Sequence, residues 1–177
     1  LVKSGTIKNG EEINFCVPTG NFGNILAGYY AKRMGLPVSR LICASNKNDV
    51  LTEFIRTGVY DRNRPFYTTI SPSMDILVSS NLERLLYELS GKDDKLVASY
   101  MSSLGADGRY EVSAPIKEAV TAMFRAGCCD DAATKATIKD TFEGHGYLLD
   151  THTAVAYNVL EQYRAETGDT RHAVVVS

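Results

Sequence analysis

No apolar run in this 177-residue chain approaches the roughly 20 residues that a membrane-spanning helix needs, which argues against an integral helical membrane protein. Neither sign of charge is in excess. The 19 Lys and Arg stand against 21 Asp and Glu, a net charge of −2. Nucleic acid and anionic membrane surfaces therefore have no electrostatic reason to bind, and neither is expected as a partner. The tyrosines do not alternate with Lys or Arg in the manner of a single-strand stacking platform. No basic segment followed by an apolar stretch opens the chain, so no signal peptide is read. Leu1-Val2-Lys3 reads like the tail of a helix, and the start is expected to be an interior cut. Cys16, Cys43, Cys128 and Cys129 show no Cys-x-x-Cys or His-rich spacing, so neither a metal site nor a disulfide framework is expected. Reduced thiols in the cytoplasm are the expectation. Repeats, low-complexity tracts and linkers are also missing, and residues 1–177 are read as a single α/β domain.

Apolar residues make up 44% of the chain and charged residues 23%, the balance of an ordinary globular domain. The run Ile13–Pro18 is β-prone and ended by proline, a buried strand. A glycine turn, Thr19–Asn24, follows. Helical character from Ile25 to Met34 puts Ile25, Leu26, Tyr29 and Tyr30 on one face. Gly35-Leu36-Pro37 stops it, and Arg40–Ser45 is the next strand. Strand, turn, helix, strand is a βαβ unit, which predicts a parallel sheet flanked by helices. Further helices are expected over 49–57, from a cap at Asn81 to Leu89, over 93–104, from Pro115 to Ala122, over 130–143, and from a cap at Thr151 or Thr153 to Glu166. Short strands are expected at 68–70, 109–112 and 147–149, with a final buried strand at 173–176.

Thr19-Gly20-Asn21-Phe22-Gly23-Asn24 is the first motif with chemistry in it. Glycines let a backbone approach a ligand closely, and the helix that follows begins with unpaired N–H groups and a positive dipole end. Together these favour phosphate. The spacing fits neither the dinucleotide fingerprint nor the P-loop. A plain tight turn with Asn24 as helix cap remains the alternative on these residues alone.

The segment Val17-Pro18-Thr19-Gly20-Asn21-Phe22-Gly23-Asn24-Ile25-Leu26-Ala27-Gly28 resembles the cofactor-phosphate loop of threonine synthases. Three further stretches resemble signatures of that family in the same order. They are Ala44-Ser45-Asn46-Lys47-Asn48-Asp49, then Ser71-Pro72-Ser73-Met74-Asp75-Ile76 with Ser79-Ser80-Asn81-Leu82-Glu83-Arg84, then Asp150-Thr151-His152-Thr153-Ala154-Val155. In the last, Thr151 stands where the family usually has proline. The likeness is weakest from about Gly91 to Ala126.

The resemblance implies a pyridoxal-phosphate lyase of the tryptophan-synthase-β-like fold (fold type II). Its reaction turns O-phosphohomoserine and water into threonine and phosphate. On that basis Gly20, Asn21, Phe22, Gly23, Asn24 and Asp150 are expected to bind the cofactor, and His152 is a candidate proton carrier. Asn46, Asn48, Asp49, Ser71, Ser73 and Asp75 are candidates for placing the substrate. The residues themselves allow blander roles, as turns and helix caps. His145 and His172 read as ordinary surface positions. The family's Schiff-base lysine lies upstream, in a separate domain, and the residue bonding the pyridine nitrogen follows the last strand. Neither is expected within this chain, and Lys139, in Thr137-Ile138-Lys139-Asp140, sits in alternating charge that suits a solvated helix face. The fragment alone is therefore expected to be inactive, with the lysine-bearing domain as its partner and a homodimer as a further expectation. A threonine dehydratase, a cysteine synthase, or a phosphate-ligand-binding domain without catalysis are the alternatives.

Overall fold

In the computed structural model, which describes residues 1–177, four parallel strands form the centre. They are β1 (Ile13–Pro18), β2 (Val38–Ser45), β5 (Phe124–Cys128) and β6 (Ala173–Val175), in the order β5-β2-β1-β6. The helices are α1 (Gly23–Arg33), α2 (Val50–Thr57), α3 (Leu82–Leu89), α4 (Asp94–Asp107), α5 (Ala114–Met123), α6 (Asp131–His145) and α7 (Thr151–Thr167). An antiparallel pair, β3 (Val59–Asp61) and β4 (Arg109–Glu111), stands apart from the main sheet. None of the helices is long and apolar enough to cross a membrane.

Strand periodicity divides the core. Val17, Leu41, Cys43 and Phe124 face the layer that holds α1 to α5, with Ile25, Tyr29, Phe54, Leu85 and Val120 packed among them. Cys16, Ile42 and Ala44 face the other way, onto Val155, Ala156, Val159 and Leu160 of α7. Both faces are thus covered, which is why β1 and β2 read as near-continuous apolar runs rather than alternating ones. Burial raises the Cys16 thiol well above its usual range and pushes Cys43 up to about 12, so both stay protonated. All four cysteines are free.

Three helices start on an aspartate whose side chain accepts a backbone N–H: Asp93 from Leu96, Asp130 from Ala133, and Asp150 from His152 and Thr153. Asp150, rather than Thr151 or Thr153, is therefore the cap of α7. Asn81 precedes α3 without capping it. Helix α4 runs through Gly105 and stops at Gly108, whose φ of 73° takes the left-handed turn.

Several strand expectations differ from the structure. Residues 68–70 form no strand, because the N–H groups of Thr69 and Ile70 go to the carboxylates of Asp75 and Asp131. Residues 147–149 are outside any sheet, with Tyr147 and Leu148 64% and 69% exposed. β6 sits at the sheet edge and is half-buried instead of buried. The edge strand β5 was not foreseen. Its sequence, Phe-Arg-Ala-Gly-Cys, carries an arginine and a glycine, and it follows α5 without a break.

Asp169 ties three elements together. Its Oδ2 accepts from Asn14 Nδ2 (3.0 Å) and the Tyr163 hydroxyl (2.7 Å), and its Oδ1 accepts the Arg171 N–H (3.0 Å). Burial alone would raise this carboxyl. The hydrogen bonds from Tyr163, Arg171 and Asn14 and the Arg171 charge outweigh that and hold it far below the usual range. Because the folded value is depressed, this carboxylate stabilises the fold above the ordinary aspartate pKa of about 3.9. That stability is lost as pH falls from there toward the folded value. Asp169→Asn should therefore lower stability at neutral pH and flatten the loss on the acid side, read by urea titrations across pH. Phe124 rings lie 5.8 Å from Phe22 and 6.4 Å from Tyr29. Phe124→Ala should cost about 3–5 kcal/mol in the same assay.

Candidate functional site

β1 ends at Pro18, and the chain turns through Thr19–Phe22 into α1. Thr19 still belongs to the sheet, since its N–H donates to Ala44 O (2.8 Å). From Gly20 to Ile25 the N–H groups find no acceptor in the protein. The carbonyls of this stretch are engaged instead. Gly20 O accepts from Ser79 Oγ (2.9 Å), and Asn21 O accepts from Asn81 Nδ2 (2.7 Å) and Asn81 N–H (3.2 Å). Six consecutive amides without partners, at the start of an 11-residue helix, present donors of the kind an anion takes. Unpaired backbone N–H groups are rare unless a ligand or water takes them.

Each residue of the turn has a distinct reason to be there. Gly20 has no room for a side chain: a Cβ would lie 2.5 Å from Ser73 O. Gly23 has space around it, the nearest neighbour of a Cβ being Asn81 Nδ2 at 3.8 Å, so its missing side chain leaves the approach to the N–H groups open. Phe22, and not a glycine, takes the left-handed conformation, with φ 62°. Such a backbone costs on the order of 1–3 kcal/mol and collects at ligand sites. The Phe22 ring, 1% exposed and packed on Phe124, holds it there. Gly23 and Asn24 are the first residues of α1, so Asn24 is inside the helix and is not its cap.

Around the turn stand the loops that leave β2, β5 and the α7 side. Asp150 accepts from His152 N–H (2.9 Å), Thr153 N–H (3.1 Å) and the Thr153 hydroxyl. Burial would raise the Asp150 carboxyl, but the hydrogen bonds from Thr153 and His152 lower it overall. His152 Nε2 accepts the Ser73 N–H (3.2 Å), and Nδ1 lies 3.6 Å from Asp150 Oδ1. A nitrogen that accepts carries no proton, so this geometry holds the imidazole with its proton on Nδ1.

Asn46 and Asn48 are 1% and 3% exposed and have no spare donor. Asn46 Nδ2 lies within 3.2 Å of Thr69 Oγ1, Ser71 O, Ser71 Oγ and Asp75 Oδ1. Asn48 Nδ2 donates to Tyr67 O (2.8 Å), and its Oδ1 accepts the Tyr67 N–H (2.9 Å). Asp49 does not cap α2; its carboxylate pairs with Arg64 at 2.6 Å. Ser71 is buried, whereas Ser73 is exposed, with no hydrogen bond from its hydroxyl. Two features escaped the sequence. Lys47 Nζ sits 4.1 Å above the Tyr67 ring. Tyr60, its hydroxyl pushed up to about 12 by burial, accepts the Ser79 N–H (2.8 Å) and so steadies the Ser79–Asn81 clamp. Lys139 lies on the outer face of α6, its side chain 68% exposed and 3.9 Å from Glu143. There is no group of three or more His, Cys, Asp or Glu placed to hold a metal.

No protein-family model matches the sequence. Individual proteins do. The chain is 45% identical over 168 residues to human threonine synthase-like 1, covering 94% of this chain and 23% of that protein. It is 39% identical over 175 residues to the threonine synthase of Saccharomyces cerevisiae, covering 92% of this chain and 34% of that one. A crystal structure of threonine synthase from Brucella melitensis with pyridoxal phosphate bound superposes with a TM-score of 0.89 at 42% identity, over 97% of this chain and 36% of its own. The chain is similar to threonine synthases over nearly its whole length. It spans about a quarter to a third of the length of the relatives it matches. Maize serine racemase, at 13% identity and TM-score 0.52, shares the fold alone. A fold type II threonine synthase framework thus underlies this parallel sheet and its helices.

Gly20→Ala should push the turn and the Ser73 segment apart, weakening phosphate binding and lowering stability by about 1–3 kcal/mol. Gly23→Val should leave the protein folded but abolish phosphate binding, by blocking the N–H groups. Calorimetric titration with inorganic phosphate, beside urea unfolding, separates the two.

Proposed function

We propose that the protein carrying this chain is a threonine synthase, a pyridoxal-phosphate-dependent lyase that converts O-phospho-L-homoserine and water to L-threonine and phosphate. The observation that carries this is the run of six unpartnered N–H groups at Gly20–Ile25. It lies in a chain 42% identical to a neighbour solved with pyridoxal phosphate. The residues present fit a phosphate monoester. The cradle supplies donors only, Gly23 leaves its face open, and no side-chain carboxylate belongs to the turn itself.

In this reading Gly20, Asn21, Phe22, Gly23 and Asn24 hold the cofactor phosphate, assisted by the positive end of α1. Pyridoxal phosphate, when bound, supplies the electron sink for carbanion chemistry on the amino-acid substrate. The chain's own residues bind and orient. Asp150 fixes the first turn of α7 and holds His152 beside the cradle. His152 Nε2 accepts the Ser73 N–H and so keeps the Ser73 segment in register, and His152 is the candidate proton carrier beside the turn. Ser73 and Asp49 are the candidates to meet the substrate, and Asn46, Asn48, Ser71 and Asp75 form the hydrogen-bonded wall behind Ser73.

Residues 1–177 act in this reading as the phosphate-binding domain. A Schiff-base lysine comes from a separate part of the protein, since Lys139 faces outward on α6. Four free cysteines favour a cytoplasmic setting.

The complete protein, supplied with pyridoxal phosphate, should release inorganic phosphate from O-phosphohomoserine with threonine formed in equal amount. Turnover of serine or O-acetylserine, with none of phosphohomoserine, would move the protein to a sister enzyme. Cofactor binding without any turnover would favour the non-catalytic alternative.

A further inference from the structure

Asp75 accepts four hydrogen bonds and has no cation beside it. Its Oδ1 takes Asn46 Nδ2 (2.7 Å), Thr69 Oγ1 (2.7 Å) and Asn48 Nδ2 (3.1 Å), and its Oδ2 takes the Thr69 N–H (2.9 Å). None of the ion pairs in the chain includes it. These donors come from two segments, the loop after β2 and the irregular stretch 67–71. Asp75 also closes the short 3-10 turn Pro72–Met74, its backbone N–H donating to Pro72 O (3.0 Å). One acceptor-only group therefore joins three pieces of chain that have no ladder between them.

The 3-10 turn is also the outer support of the cradle. Ser73 O lies so close to Gly20 that no Cβ fits between them. Ser73 N–H donates to His152 Nε2. Met74, 2% exposed, plugs the turn into the α7 side of the core. Where Asp75 sits thus decides where Ser73 presses on Gly20, and so how the N–H groups of the turn are aimed.

We propose that Asp75 is a positioning residue: through Thr69, Asn46 and Asn48 it sets the Ser71–Ser73 wall against the glycine turn, and so the affinity of the turn for a phosphate monoester. This rests on the reading of the turn as a phosphate cradle. A carboxylate is suited to the task because it is acceptor-only, with about four lone-pair sites that meet the four donors here. An amide in its place would turn one N–H against a donor. The sequence motif alone made Asp75 a candidate for touching the substrate; its saturated geometry makes it a spacer.

The test uses the complete protein and pyridoxal phosphate as the probe. Asp75→Asn should raise the dissociation constant for the cofactor roughly tenfold, the usual scale for losing a group that orients first-contact ligands. Thr69→Val, which deletes one donor and keeps the main-chain bond, should shift the constant the same way by a smaller factor. A purely structural role would lower the melting temperature and leave the dissociation constant unchanged. Wild-type affinity in folded Asp75→Asn overturns the inference alone. A wild-type protein that binds no pyridoxal phosphate overturns the cradle reading, and this inference with it.

Discussion

The hydrogen bonds from Ser79 Oγ to Gly20 O and from Asn81 to Asn21 O decide what the glycine turn can do. A turn that kept its carbonyls and N–H groups paired with each other would have nothing to offer a ligand. Here the acceptors are taken from behind by residues some 60 positions later in the chain, and the donors are left in front. The buried Tyr60 hydroxyl holds that clamp by accepting the Ser79 N–H and donating to Leu77 O. The row of free N–H groups is thus not a property of the turn alone. It depends on β3, on the stretch 77–81 and on the packing that brings them to the end of β1.

Phe22 shows the same dependence from another side. A phenylalanine in the left-handed region is unfavourable by itself. It persists because its ring is enclosed with Phe124 and Tyr29 in the larger core. The aromatic cluster therefore transmits core stability into the shape of the cradle. The same economy holds at the Asn46, Asn48 and Asp75 network, where buried polar groups are fully paired and so rigid. The side chains left free, Ser73 and the exposed amides of Asn21 and Asn24, are those at the rim.

The threonine synthase likeness fits this picture and adds to it. The identities of 39–45% extend over more than nine-tenths of the chain. Distant fold relatives such as the serine racemase keep the sheet while sharing only 13% of residues. The sheet is a scaffold that many sequences can build, because apolar strands of about the right size suffice. The site needs particular donors and acceptors at particular places.

What the sequence determined by itself was local. Ile13–Pro18 became β1 with those bounds, the βαβ unit around the glycine turn followed, and the four motifs pointed to one family, because short-range patterns and motif order need no knowledge of contacts. Helix ends were legible only in part: Asp150 displaced Thr151 and Thr153 as the cap, since an aspartate one residue earlier reaches the same N–H groups. β5 was invisible because its Arg125 and Gly127 are tolerated only between β2 and the helices that cover them. The expected strand at 68–70 was lost to Asp75 and Asp131, which offered its N–H groups side-chain acceptors in place of a ladder. Tertiary structure alone decided the roles within the site. Asn46, Asn48 and Asp75 look, in sequence, like any polar loop residues able to meet a substrate. Only their mutual distances reveal that their hydrogen-bonding capacity is already spent on one another, and a bond between positions 27 or 29 residues apart has no signature in a one-dimensional pattern.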